Sequence, residues 1–250
     1  MFWEFQMNFF KVNIKIIFLC LLFSIQKSNS NPNKPIYKNI HALWDIQLKK
    51  YVSKNGIINY KSWANNIEEI NSYLKLVKKF EPTSNWSKYE LMSYWINVYN
   101  SLSTLQVIKN LTTNRNFKII KNRKIALFKL GKTNYSLVQI ENILKKFRDP
   151  RIYFVINCHA ESSPNLLNFA FRSYEINNQL DAATKLFIND NSKNKLRKNE
   201  LKLSKIFKWI SNYFSDKKEF IKFIKKYSKT EIDEQPKITF LKFNWQLRNY

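Results

Sequence analysis

Glycine is almost absent from this chain, with 2 residues in 250 where average usage is about 7%. A phosphate-cradling loop of the usual glycine-rich kind therefore has no residues to be built from. Histidine is equally scarce, with His41 and His159 only, and cysteine occurs twice, at Cys20 and Cys158. No pair among these has metal-ligand spacing, so neither a metal site nor a cofactor is expected. A GxSxG elbow is also missing, which removes the usual serine-hydrolase reading. Acidic residues number 18 against 43 basic ones, a formal charge of +25. Such a charge points to nucleic acid or an anionic membrane surface. The basic residues are spread along the chain, however, and no Arg-rich stripe interleaves with aromatics. The abundance of Lys, Asn, Ile, Phe and Tyr beside so little glycine fits a nucleotide-biased composition. We therefore expect solubility from this charge and no specific nucleic-acid motif, with an anionic polymer or lipid partner as the competing reading.

Long apolar runs are missing too. The run from Ile16 to Phe23 is too short to span a bilayer. Lys11 and Lys15 precede it, and Ser28 and Ser30 follow as small residues at a cleavage site. This is the pattern of a signal peptide, with Met7 as an alternative start and an uncleaved anchor helix as the competing reading. Ile17, Phe18 and Leu19 before Cys20 are too bulky for a lipid-attachment site. The expectation is an exported protein, periplasmic or secreted, with residues 1–30 as signal peptide and 31–250 as one domain without a transmembrane span. Cys158 would be its only cysteine, so the core must hold without an internal disulfide.

The rest reads as a helix-rich α+β domain with a small, mostly antiparallel sheet. Helices are expected from Ile40 to Val52, with Leu43, Ile46 and Leu48 on the apolar side, and from Ile67 to Phe80, with Ile70, Tyr73, Leu74 and Val77 at helical spacing. KNGIINY between them predicts a turn at Gly56. Ser87 with Glu90 opens a longer helix through Met92, Trp95 and Leu102. A hairpin is expected around Gly131, then a helix capped by Ser136 and running to Phe147. Ile152 to Asn157 reads as a buried strand, and Leu166 to Phe187 as one or two helices. A strand and a helix capped by Ser204, a helix from Phe220 to Tyr227, and a strand from Ile238 to Phe243 complete the chain.

Cys158 and His159 look like a thiol and its base, yet neighbours on a strand point to opposite faces. Cys158 ending an apolar run is expected to be structural, and His41 a capping or surface residue. Ser162 and Ser163 stand just before Pro164, a favoured first-turn residue. Ser163 would then feel the positive end of a helix dipole, but it lacks a base to activate it.

Several stretches, in order, resemble the domain of unknown function 547 family, DUF547: GIINY at Gly56, YWINVYN at Tyr94 to Asn100, YSLVQIENILKKFRDPRIYFVINC from Tyr135 to Cys158, SSPNLLNFAF, LDAATKLFIN, LSKIFKW at Leu203 to Trp209, and FNWQL at Phe243. The resemblance implies a divergent, exported bacterial member related to papain-like and transglutaminase-like thiol hydrolases. It also implies a cysteine where this chain has Ser163 and a histidine where it has Asn142. Tyr153 and Tyr213 stand where the family has histidine and aspartate. Among the reactive types Glu141, Arg151 and Cys158 are kept. The retained motifs put Trp95, Asn97, Tyr99, Asn100, Arg151 and Tyr153 forward as binding residues. A thiol hydrolase needs a thiolate and a base within reach. Replacing both leaves, as the first expectation, a non-catalytic domain whose cleft binds or scaffolds a peptide or anionic ligand. The second is a hydrolase of small peptide or thiol substrates in which Cys158 is the nucleophile and His41 or His159 is recruited in space. The third is a basic binder of anionic polymers or lipid.

Overall fold

The computed structural model describes residues 40–112 and 123–248. The expected signal peptide, residues 1–30, lies outside the described residues.

Three short helices open the fold: α1 (Ala42–Tyr51), α2 (Tyr60–Ala64) and α3 (Glu68–Val77). Gly56 turns the chain between α1 and α2 at φ +77°, a backbone region that a side chain resists. Aromatic rings decide which face of α1 is buried: Trp44 stacks on Trp63 at 5.5 Å and on Tyr73 at 5.7 Å, and Tyr51 on Trp63 at 4.9 Å. The buried stripe consequently runs through Trp44, Gln47, Leu48 and Tyr51. Leu43 and Ile46, expected on the apolar side, are 42% and 59% exposed. In α3 the residues at helical spacing, Ile70, Tyr73, Leu74 and Val77, are the buried ones.

The spine is α4 (Lys88–Thr112), opened by a reciprocal pair of bonds between Ser87 and Glu90. It is buried without interruption from Met92 to Ile108, so it has no solvent face over that length. Its buried polar side chains must therefore find partners inside the protein. Asn97 holds both the N–H and the C=O of Phe171, at 2.9 and 2.8 Å. Asn100 accepts from the Asn157 N–H and donates to the Val155 carbonyl, both at 2.9 Å.

These amide side chains explain two departures from expectation. Ile152 to Asn157 is not a strand: Asp149 accepts from the Arg151 N–H at 3.0 Å and starts a 3-10 turn over Pro150–Phe154, after which the chain is irregular. Asn100 satisfies that irregular backbone, so no neighbouring strand is needed. Residues 166–175 are likewise not helical, because Asp45 takes the Ala170 N–H and Asn97 takes Phe171. The helix there is confined to α6 (Ile176–Ile188).

Between these parts lie the hairpin β1 (Phe128–Leu130) and β2 (Thr133–Tyr135), turning at Gly131, and α5 (Leu137–Lys145), with a capping box between Ser136 and Gln139. The C-terminal part holds β3 (Lys195–Leu196), β4 (Glu200–Leu203), α7 (Lys205–Ile210), α8 (Lys217–Tyr227) and β5 (Lys237–Phe240). In this second sheet β4 is central, antiparallel to β3 and parallel to β5. One apolar cluster fills the space among α1 to α6, and a second gathers Phe154, Phe187, Leu203, Phe207 and Phe220. The architecture is a helix-rich α+β fold.

Replacing Asn100 by Leu leaves the Val155 carbonyl and the Asn157 N–H unpaired in the interior, a loss of roughly 2–5 kcal/mol in urea denaturation. The exposed Asn191→Ala control should stay within about 0.5 kcal/mol of the parent protein.

Candidate functional site

A cleft of about 620 Å³ opens where α4, α5, α7 and the C-terminal segment meet, and Cys158 and Ser163 both line it. The Cys158 Sγ and Ser163 Oγ lie 2.9 Å apart in a hydrogen bond. Ser163 is 1% exposed and Cys158 9%. No helix follows Pro164, so Ser163 stands at no helix N-terminus and feels no helix dipole. The turn is held by a strap instead. Glu161 N–H donates to the Gln246 carbonyl at 2.9 Å, Ser162 N–H to the Asn244 carbonyl at 3.2 Å, and Arg248 N–H to the His159 carbonyl at 2.9 Å. The Arg248 guanidinium reaches the Ser163 carbonyl at 2.5 Å, the Glu161 carbonyl at 3.0 Å and Asn165 Oδ1 at 2.5 Å. The same strap carries Phe243 and Trp245 into the cleft.

Neither histidine of the chain lines the cleft. His159 adopts φ +62° while its N–H bonds Asn157 Oδ1, so it is no strand neighbour of Cys158 but the residue of a tight reversal. Its ring is buried elsewhere, with Nδ1 2.5 Å from the Tyr60 hydroxyl and Nε2 3.1 Å from Thr104 Oγ1. Burial, helped by the nearby Arg248 charge, pulls its pKa down to about 3. His41 precedes α1 and makes no side-chain cap. It occupies the N-cap position through its backbone, while its partly buried ring pairs with the Tyr73 hydroxyl at 2.8 Å and burial depresses its pKa. Burial pushes the Cys158 thiol up from its ordinary value, with the Ser163 hydrogen bond and Arg123 acting the other way and outweighed.

Glu141 enters from α5. Arg123 Nη2 lies 2.5 Å from each of its carboxylate oxygens, and the Tyr99 hydroxyl donates to it at 2.7 Å. Burial first, and then Glu141, hold the Tyr99 hydroxyl well above its ordinary pKa. The Arg123 guanidinium lies 5.1 Å from the Trp245 ring centroid. Tyr153 and Tyr213 also line the cleft, packed edge to face at 5.9 Å, with the Tyr213 hydroxyl donating to that of Tyr153 at 3.4 Å.

The structure thus gathers Cys158, Ser163, Glu141, Tyr99 and Tyr153 in one place. It leaves out Asn142, which is exposed and does not line the cleft, its Oδ1 3.4 Å from Lys145 Nζ. Of the other binding candidates, Asn97 and Asn100 hold backbone, and Trp95 packs on Tyr94 and Tyr135. Arg151 ties the 3-10 turn to α6 through Asp149 and Asp181. The sequence reading missed the cations Arg123, Lys145 and Arg148 and the aromatics Trp209, Phe243 and Trp245, all of which line the cleft. A signal was present in LSKIFKW and FNWQL, which contain all three aromatics. Among the described residues no group of three or more His, Cys, Asp or Glu is arranged to hold a metal ion, and no helix is long and apolar enough to cross a membrane.

Residues 83–188 match the model of a family described as Protein of unknown function, DUF547. The chain carries this domain over that stretch, which runs from just before α4 to the end of α6 and contains Tyr99, Glu141, Tyr153, Cys158 and Ser163. No curated protein and no solved structure matches the chain.

Two measurements follow from these surroundings. Iodoacetamide at neutral pH should leave Cys158 unmodified in the folded protein and alkylate it once denaturant is added, read by intact mass. Because the pKa of His159 is about 3 when folded and about 6.5 when unfolded, the folded state binds fewer protons between these values. Stability is then complete above about pH 6.5 and falls as pH drops toward 3, by up to ~1.4 kcal/mol per pH unit from this residue. Urea denaturation at stepped pH should give a shallower acid slope for His159→Gln than for the parent.

Proposed function

We propose that the chain is an exported DUF547 domain that performs no thiol hydrolysis and uses its cleft as a binding surface. The observation that carries this reading is the cleft floor itself. A hydroxyl and a buried thiol bond each other at 2.9 Å, and both imidazoles of the chain are engaged away from them. Without a base, the Ser163 hydroxyl has no route to an alkoxide near neutral pH. Removing one member of a nucleophile–base pair lowers the rate by orders of magnitude, and a second loss adds little. The retained shape has a use without turnover: a recess of about 620 Å³ falls within the range of small-molecule sites. Export rests on the basic, apolar and small-residue pattern between Lys11 and Ser30.

Turnover of a panel of peptide amides, esters and thioesters by the full chain should stay at the uncatalysed rate, and Ser163→Ala should leave it unchanged. Measurable turnover that Ser163→Ala abolishes overturns the reading.

A further inference from the structure

The lining of the cleft brings together two kinds of side chain. Trp209, Phe243 and Trp245 form a continuous aromatic surface, with ring centroids 4.9 Å apart for Trp209 and Phe243 and 4.3 Å for Phe243 and Trp245. Trp209 is 38% exposed, an open indole face beside a concave site. Around the same opening stand three cations, Arg123, Lys145 and Arg148, against one lining carboxylate, Glu141. Glu141 is already taken up by Arg123 and Tyr99. Lys145 and Arg148 have no carboxylate partner among the described residues. Arg123 also keeps a buried Nε–H without an acceptor there. Exposed aromatic surface grouped in a recess marks a binding site more often than a scattered apolar residue does. Cations left unpaired beside it attract the opposite charge, and more strongly where the walls exclude water.

We propose that this cleft binds a small anion carried on a flat ring: the ring lies against the Trp209 and Trp245 wall, and the acidic group meets Arg148 and Lys145. The inference rests on the cleft being a binding site and adds the class of ligand. The volume admits a molecule of a few rings. The acidic group is a carboxylate or a phosphate, since both match a guanidinium and an ammonium.

Calorimetric titration of the full chain tests this with four probes that share one ring system: 2-naphthoate, 2-naphthyl phosphate, neutral 2-naphthylmethanol and cationic 2-naphthylmethylammonium. At least one anion should bind tenfold or more tightly than the alcohol, the ammonium should bind more weakly still, and the two anions separate carboxylate from phosphate recognition. Trp209→Ala and the double variant Lys145→Gln with Arg148→Gln should each weaken the better anion by about tenfold, roughly 1.4 kcal/mol. These side chains are exposed, and far-UV circular dichroism checks that the variants keep the fold. Equal binding of the alcohol or the ammonium, no loss in either variant, or equal competition by acetate overturns the inference; the last outcome reduces it to generic charge attraction. Absent anion binding with absent turnover removes this inference alone. Turnover lost in Ser163→Ala removes the non-catalytic reading whatever the titrations give.

Discussion

The fold hangs on two amide side chains of α4. Asn97 and Asn100 are 0% and 2% exposed, and each holds a donor and an acceptor of a backbone segment that belongs to no sheet or helix. A net hydrogen bond contributes only about 1 kcal/mol, but an unpaired buried group costs about 1–3 kcal/mol. Four such groups on an irregular stretch would together cost about 4–12 kcal/mol, a sum comparable to the whole stability of a typical domain. A helix buried on every side can supply partners only from its own polar side chains, which is why asparagines stand where an aliphatic core would have leucines. Since the stretch they hold runs from Val155 to Phe171, it includes Cys158 and Ser163, and the cleft floor is fixed from within by α4.

From outside, the C-terminal strap completes the fixation. The Arg248 guanidinium gathers carbonyls from the turn that carries Ser163, replacing the regular hydrogen bonding that a helix after Pro164 would have provided. A charged group buried to 9% exposure is tolerable because carbonyl oxygens solvate it. The arrangement couples two properties. The segment that orders the floor through backbone and Arg248 bonds also delivers Phe243 and Trp245 to the cleft. The family match ends at residue 188, and these wall residues lie beyond it.

How much of this was legible in the sequence follows the range of the interactions. Helix starts at Ser87, Ser136 and Ser204 were readable, because a cap and its partner lie within three residues of each other. So was α3, whose apolar spacing is a property of the helix itself. The stretches 152–157 and 166–175 were not, because their backbone partners are 55 to 125 residues away, on α4 and α1. An apolar run records burial but not who satisfies its amides, so Ile152 to Asn157 looked like a strand. The same limit governs the site. Cys158, Ser163, Glu141, Tyr99 and Tyr153 lie in matched motifs and do meet. The neighbouring Asn142 points off α5 in another direction, since consecutive helical residues do not share a face. Arg123, Trp209 and Trp245 come from three separate segments, and only the folded chain brings them together.

The chemistry of the cleft divides between a neutral floor and a charged rim. Burial raises the Cys158 thiol and outweighs the Arg123 charge that would stabilise a thiolate, while Ser163 only exchanges a hydrogen bond with it. A nucleophilic site requires the opposite, with charge developing at the floor under a base that can take and return a proton. Here the one lining carboxylate among the described residues is held by an arginine and a tyrosine, and the imidazoles are spent on Tyr60, Thr104 and Tyr73. Besides the Arg123–Glu141 pair, the lining carries Lys145 and Arg148, beside the aromatic rings of Trp209, Phe243 and Trp245. Among the described lining residues, then, the groups nearest the floor are paired with one another, and the cations without a carboxylate partner stand apart from them. Ser163 and Tyr153 are accommodated in this cleft by hydrogen bonds to Cys158 and Tyr213, without distortion of the backbone that carries them.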